Sequence, residues 1–229
     1  TQPFAMLVVA DLLGVPEGDF EEFRRGFGLA GTPGKLGTEG ARNDADPNLL
    51  GWADQKFSKY IEDRREAPLN DVLNDLAHAT YPDGSLPPVI NVVRTATFLF
   101  AAGQETTARL LAAALKYLAE NPETQDYLRT HKERIPEFIE ETLRVESPVK
   151  TDFRMARRTT TIAGVEVKAG TPVMLLNGAA NRDPRQYDCP HDFNIDRDGV
   201  RTHIAFGRGN HSCPGGPLAR VEGRISIER

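Results

Sequence analysis

Cysteine is scarce in this chain. Cys189 and Cys213 are the two among 229 residues. Two thiols cannot build a disulfide framework, which points to a reducing compartment. Positive charge is not in excess either. The 28 Lys and Arg residues are outnumbered by 33 Asp and Glu, for a net charge of -5. A nucleic-acid binder needs the opposite balance to neutralise phosphates. Long apolar runs are missing too. The most apolar stretch, Ala96–Gly103, is far short of the roughly 20 residues that span a bilayer. Thr1 opens the chain with neither an initiator Met nor a signal-peptide pattern. Arg229 closes it inside a helical pattern, Pro217–Arg229, that lacks a Gly or Asn stop. The expectation is a piece of a longer protein. What is present is an ordinary globular composition, 39% hydrophobic, 27% charged and 7% aromatic. That suffices for one or two domains with a sizeable core.

Helical patterns dominate. Phe4–Leu13 ends at Gly14 with Pro16 just after, a helix stop. Asp19–Phe27 carries Phe20, Phe23 and Phe27 at helical spacing, which reads as a core face. Gly28–Asn48 is rich in glycine and without period, and reads as a mobile connection, either a lid or a plain surface linker. Further helices are expected over Leu49–Arg65, Leu69–Thr80, Val89–Asn121, Glu123–Thr130 and Ile135–Arg144. After Pro148 the character changes. Ile162–Val167 reads as a hairpin turning at Gly164, and Thr171–Leu176 as a strand. Asn181–Val200 is rich in Pro, Asp and Arg, without period. The fold class is therefore mainly α with a small β region, and no internal repeat is found.

The most specific segment runs from Phe206 through Gly207, Gly209, His211 and Cys213 to Gly215. Its glycines permit a tight backbone path. Pro214, Gly215 and Pro217 lead into the helical run Leu218–Val221, so Cys213 sits where a loop enters a helix N-terminus. Free amides and the helix dipole there favour an anion, and a thiolate is the metal-binding form of cysteine. Close backbone N–H groups would tune a bound metal. The competing reading is a structural cysteine in a glycine-rich turn. A second unusual segment, Ala102–Thr107, puts a glycine, an acid and two adjacent threonines inside an apolar helix. A mid-helix glycine costs roughly 1 kcal/mol relative to alanine, and threonine hydroxyls bond back to the carbonyl four residues earlier and bend the helix. Gly103 would let something flat approach the backbone, with Glu105 and Thr106 beside it. The alternative is a solvent-facing polar patch.

The pattern Phe206-x-x-Gly209-x-x-x-Cys213-x-Gly215, followed by Leu218-Ala219-Arg220, resembles the haem-binding signature of cytochrome P450 enzymes of the bacterial type. The segment from Ala102 to Thr107 is similar to their oxygen-activation segment, in the order the family requires. The resemblance implies the central and C-terminal part of that fold, with the N-terminal helices and C-terminal strands lying outside residues 1–229. It implies haem b (iron protoporphyrin IX) as cofactor, with Cys213 as the proximal thiolate ligand, which favours O–O cleavage. Phe206 would pack beside the sulfur, and His211 and Arg154 would contact haem propionates. Thr106 would hold activated oxygen and its waters, while Glu105 relays protons. The implied reaction inserts one oxygen atom from O2 into a small apolar substrate, with electrons from a ferredoxin and its reductase, in the cytoplasm. As a piece, the chain is expected to expose part of its core, to retain haem weakly and not to turn over alone.

Glu141-x-x-Arg144 places opposite charges three residues apart, a common surface pairing that in the family is a buried structural pair. The family's further arginine before a Pro-x-x-Phe aromatic is replaced here by Asp192, which leaves Arg182 and Arg197 as candidates for the third partner. Three rivals stand beside the haem reading. A zinc site from Cys189, His191, His211 and Cys213 has one-residue spacers unlike the usual pattern. A Cys213–His211 hydrolase lacks an oxyanion-hole motif. A non-catalytic haem-binding protein of the same fold would have no use for Glu105 and Thr106.

Overall fold

The structure is a computed structural model that describes residues 1–26 and 49–229. The glycine-rich connection expected at Gly28–Asn48 lies outside the described residues. The chain forms two compact units, Thr1–Ala108 and Arg109–Arg229, and the division falls within one long helix.

In the N-terminal unit α1 (Gln2–Leu13) ends where the sequence demands. Gly14 adopts φ 91, and its N–H reaches back to the Ala10 and Asp11 carbonyls. Helix α2 (Phe20–Gly26) buries Phe23 completely and Phe20 in part. Next come α3 (Leu49–Glu66), α4 (Val72–His78) and α5 (Val89–Glu120). Helix α4 is shorter than the expected Leu69–Thr80. Asp71 caps it, accepting from the Asn74 N–H at 2.8 Å, so the helix starts at Val72. The same carboxylate pairs with Arg64 at 2.8 Å, and Arg64 also donates to the Gly14 carbonyl at 2.6 Å. A Cβ on Gly14 would come within 2.5 Å of the Asp71 carboxyl carbon. One glycine thus satisfies a left-handed cap and a close approach at once. Phe23, Phe57 and Phe100 fill the core edge to face, with centroids 5.1 to 5.8 Å apart.

Helix α5 runs without interruption through Ala102–Thr107. The space beside Gly103 is taken by the α1 side chain Val9, whose Cγ2 would lie 2.8 Å from a Cβ at position 103. Here the glycine permits helix packing.

In the C-terminal unit α6 (Pro122–Thr130) and α7 (Ile135–Glu146) follow α5. Leu110, Leu118, Leu128, Phe138, Ile139 and Leu143 anchor the core. Strand β1 (Asp152–Met155) pairs antiparallel with β4 (Pro172–Leu175), in the register Phe153 to Met174. Strands β2 (Thr160–Ile162) and β3 (Val165–Val167) form the expected hairpin. Ala163 and Gly164 both take positive φ, 48 and 82, as a two-residue primed turn requires. β1 was not legible as a strand. Asp-Phe-Arg-Met alternates polar and apolar over only four residues, too short a run to mark a strand, and Phe153 and Met155 stay 60% and 69% exposed. The short α8 (Asn177–Ala180) leads into irregular chain, and α9 (Gly216–Glu228) closes the unit against α7. Gly223 allows that contact, since a Cβ there would stand 3.1 Å from Ile139.

Gly103→Ala should destabilise the fold by about 1–2 kcal/mol despite its better helix propensity, because Val9 cannot yield cheaply. Adding Val9→Ala should remove most of that penalty. Denaturant unfolding of the single and double variants measures the coupling, and additive losses would mean that the contact is not the cause.

Candidate functional site

Helix α7 carries two adjacent buried carboxylates, and each organises a different part of the C-terminal unit. Glu141 and Arg144 are both fully buried and meet bidentately, with Nε to Oε2 and Nη2 to Oε1 each at 2.7 Å. Arg144 spends its other donors on the carbonyls of Asn181 at 2.9 Å, Pro190 at 2.7 Å and Asp192 at 2.9 Å. All five guanidinium hydrogens are therefore used. Its plane lies over the Tyr187 ring at 5.1 Å. The third partner is Arg197, whose Nε donates to Glu141 Oε1 at 3.1 Å, beside the Asn194 N–H at 2.9 Å. Arg182 instead holds the Val145 carbonyl. Asp192 enters through its carbonyl, which both Arg144 and Arg197 reach. Burial pushes the Glu141 carboxyl up, but these donors outweigh it and hold its pKa below the usual value.

Glu140, the neighbouring residue, was not singled out by sequence reasoning. It accepts from His203 Nε2 at 2.9 Å and from Arg220 at 2.5 Å and 3.1 Å. His203 Nδ1 accepts the Ala205 N–H at 3.2 Å, which leaves Nε2 as the donor. Burial raises the Glu140 carboxyl, but the hydrogen bonds from His203 and Arg220 and the charge of Arg220 bring it down to about 2. Arg220, on α9, lies with its guanidinium carbon 4.6 Å from the centre of the Phe206 ring.

Phe206 opens the cysteine loop. Gly207 bonds back to Ile204 at 2.9 Å, and Ser212 to Gly209 at 3.0 Å. Gly207 and Gly209 take positive φ, 66 and 78, which side chains rarely adopt. The Cys213 N–H then donates to the Phe206 carbonyl at 2.8 Å and closes the loop. Helix α9 starts three residues on, at Gly216 with Pro217 in its first turn. Cys213 is exposed, and so is His211 in a single 3-10 turn, Gly209–His211. Arg154 is exposed on β1 and donates to the Phe153 carbonyl at 2.8 Å. Phe206, His211 and Cys213 thus share one loop, with Arg154 on a strand of the same unit. Glu105 and Thr106 stand on α5 in the N-terminal unit. Thr106 Oγ1 donates to the Ala102 carbonyl at 2.9 Å, as the threonine pair predicts.

Among the described residues no group of three or more His, Cys, Asp or Glu could hold a metal ion. The zinc reading therefore has no assembled donor set there. A single exposed thiol at a loop-to-helix junction would fit a haem iron, for which it would be the one protein ligand supplied by this loop. Glu222, also missed, sits buried on α9 with neither carboxylate oxygen hydrogen-bonded. Burial alone pushes it up to about 7.

A family model described as Cytochrome P450 matches residues 51–229. Cytochrome P450 144 of Mycobacterium tuberculosis is 41% identical over 226 residues, which cover 97% of this chain and 51% of that protein. The solved structure of Mycobacterium marinum cytochrome P450 CYP150A6, in the substrate-free form, is 59% identical with a TM-score of 0.87, covering 100% of this chain and 52% of that one. CYP109E1 from Bacillus megaterium in complex with testosterone is 33% identical with a TM-score of 0.83, covering 99% and 60%. The chain spans about half the length of the curated relatives it matches.

Arg144→Met should cost about 3–5 kcal/mol in chemical denaturation, because it leaves Glu141 Oε2 and the Asn181, Pro190 and Asp192 carbonyls without their donor; a loss under 1 kcal/mol would mean that the pair is solvated in solution. Glu222 sets a pH dependence of opposite sign to that of Glu140. Its raised folded pKa contributes stability that is complete below the ordinary carboxyl value of 4.5 and is lost as pH rises through about 7. Glu222→Gln should therefore stabilise by about 3 kcal/mol near pH 8 and by almost nothing near pH 4. A pH-independent difference would refute the buried, unpaired acid.

Proposed function

The chain belongs to the cytochrome P450 family, and on that footing we propose that it serves a haem-thiolate monooxygenase acting on an apolar organic substrate. The overall change takes a C–H bond, O2, two electrons and two protons to an alcohol and water. Haem b supplies the oxygen chemistry when bound, and thiolate ligation favours O–O cleavage. The observation that carries this reading is Cys213, exposed three residues before α9 on a loop closed by its own amide.

Each candidate residue has a task. Cys213 Sγ would ligate the haem iron. Phe206 packs beside it, and its backbone carbonyl fixes the Cys213 amide. The guanidinium of Arg154 and the imidazole of His211 are donors suited to propionate carboxylates. Thr106 presents a hydroxyl whose proton is directed to Ala102 and whose lone pairs remain to accept from water. Glu105, exposed one residue before, passes protons from solvent to that water. This acid–alcohol pair favours an enzyme over a haem carrier. Electrons come from a ferredoxin and its reductase in a reducing cytoplasmic setting. No helix of the described residues is long and apolar enough to cross a membrane. For the substrate an apolar compound such as a sterol, fatty acid, terpene or polyketide is in view, and the steroid member of that set is supported by the testosterone held by a 33% identical relative.

The test replaces each cysteine in the haem-loaded full-length protein. Cys213→Ser should lose most of the haem and change the ferric Soret spectrum, while Cys189→Ser should match the parent. A Cys213→Ser protein with the parent's spectrum and haem content would end the proposal. Thr106→Ala should keep the spectrum and lower product formed per electron consumed severalfold; unchanged coupling would remove Thr106 from proton delivery.

A further inference from the structure

We propose that Glu140, His203 and Arg220 form a positioning clamp for the Cys213 loop, in which one buried carboxylate on α7 holds both ends of the segment that carries the cysteine. At the upstream end, His203 donates to Glu140 at 2.9 Å, and its other ring nitrogen takes the Ala205 amide next to Phe206. At the downstream end, Arg220 donates to both Glu140 oxygens and places its guanidinium carbon over the Phe206 ring, 4.6 Å from its centre. Phe206 in turn accepts the Cys213 amide at 2.8 Å. Glu140 therefore reaches Cys213 by two routes that converge on Phe206. The carboxylate is almost fully buried, its side chain 2% exposed, so neither route competes with water for its oxygens. Nothing in the chemistry requires an ionised acid at position 140. Its burial and its choice of partners make sense as control of where the loop sits.

The role in haem ligation rests on the proposed function above, whereas the clamping of the loop does not. Two readouts on the haem-loaded full-length protein separate them: hydrogen exchange at the Cys213 amide, and the rate at which the ferrous–CO spectrum converts from thiolate type to thiol type. Arg220→Lys keeps the charge but loses the planar fork and the ring stacking. It should speed exchange at the Cys213 amide by about tenfold and the spectral conversion severalfold, with the melting temperature nearly unchanged. Glu140→Gln should do both more strongly, and Arg220→Lys decides the question if Glu140→Gln does not fold. Variants that lower the melting temperature but leave both readouts at the parent's values would reduce the clamp to an ordinary staple and overturn the inference. A parent with no thiolate-type spectrum would overturn the haem reading instead, and amide exchange would still test the clamp.

Discussion

The C-terminal unit is arranged around a guanidinium that has been removed from water. Desolvating an arginine is tolerable only when every donor is matched and a countercharge is adjacent. Arg144 meets that condition with two carboxylate oxygens and three backbone carbonyls. The consequence reaches beyond α7. The stretch from Asn181 to Arg197 has almost no regular secondary structure, and its carbonyls are drawn inward to the arginine. Arg197 adds a second cation to Glu141 and ties down the Asp188, Cys189 and Asp192 carbonyls. Irregular chain becomes well-defined structure because a buried charge requires its oxygens.

From there the path to the candidate chemistry is short. Glu140 precedes Glu141 on the same helix and repeats the device for the next segment, from His203 to Arg220. Within that segment lie the two left-handed glycines, the Phe206 ring and the exposed thiol. One helix thus fixes the irregular chain with one carboxylate and the cysteine loop with the other. Glu222 on α9 is the contrasting case, a buried acid with neither oxygen bonded, whose carboxyl burial pushes up to about 7.

What the sequence made legible followed from local chemistry. Gly14 as a helix stop, Ala163-Gly164 as a hairpin turn and Pro217 at the start of α9 are each dictated by backbone sterics, and each is found. The cysteine loop was readable because glycines, proline and cysteine occur there in a rare order. What could not be read depended on distant partners. Gly103 suggested room for a flat group, but α1 supplies Val9 to that space from far away in the chain. β1 exists because β4 pairs with it, and the four-residue alternation of Asp152–Met155 is too short to announce a strand. The choice of Arg197 over Arg182 was open because both lie far from the pair in sequence, in one stretch without period, and the fold decides it by bringing Arg197 to Glu141 and Arg182 to the Val145 carbonyl. Glu140 was hidden because two adjacent glutamates on a helix normally point to different surroundings, one of them solvent. Here both are buried.

The central claim is that the thiolate of Cys213 ligates porphyrin iron. The ferrous–CO difference spectrum of the haem-loaded full-length protein tests it most directly, since the position of the Soret band reports the ligand opposite CO. The account predicts the strongly red-shifted band of a thiolate ligand. Haem uptake accompanied only by a band of the histidine or neutral-thiol type would contradict it.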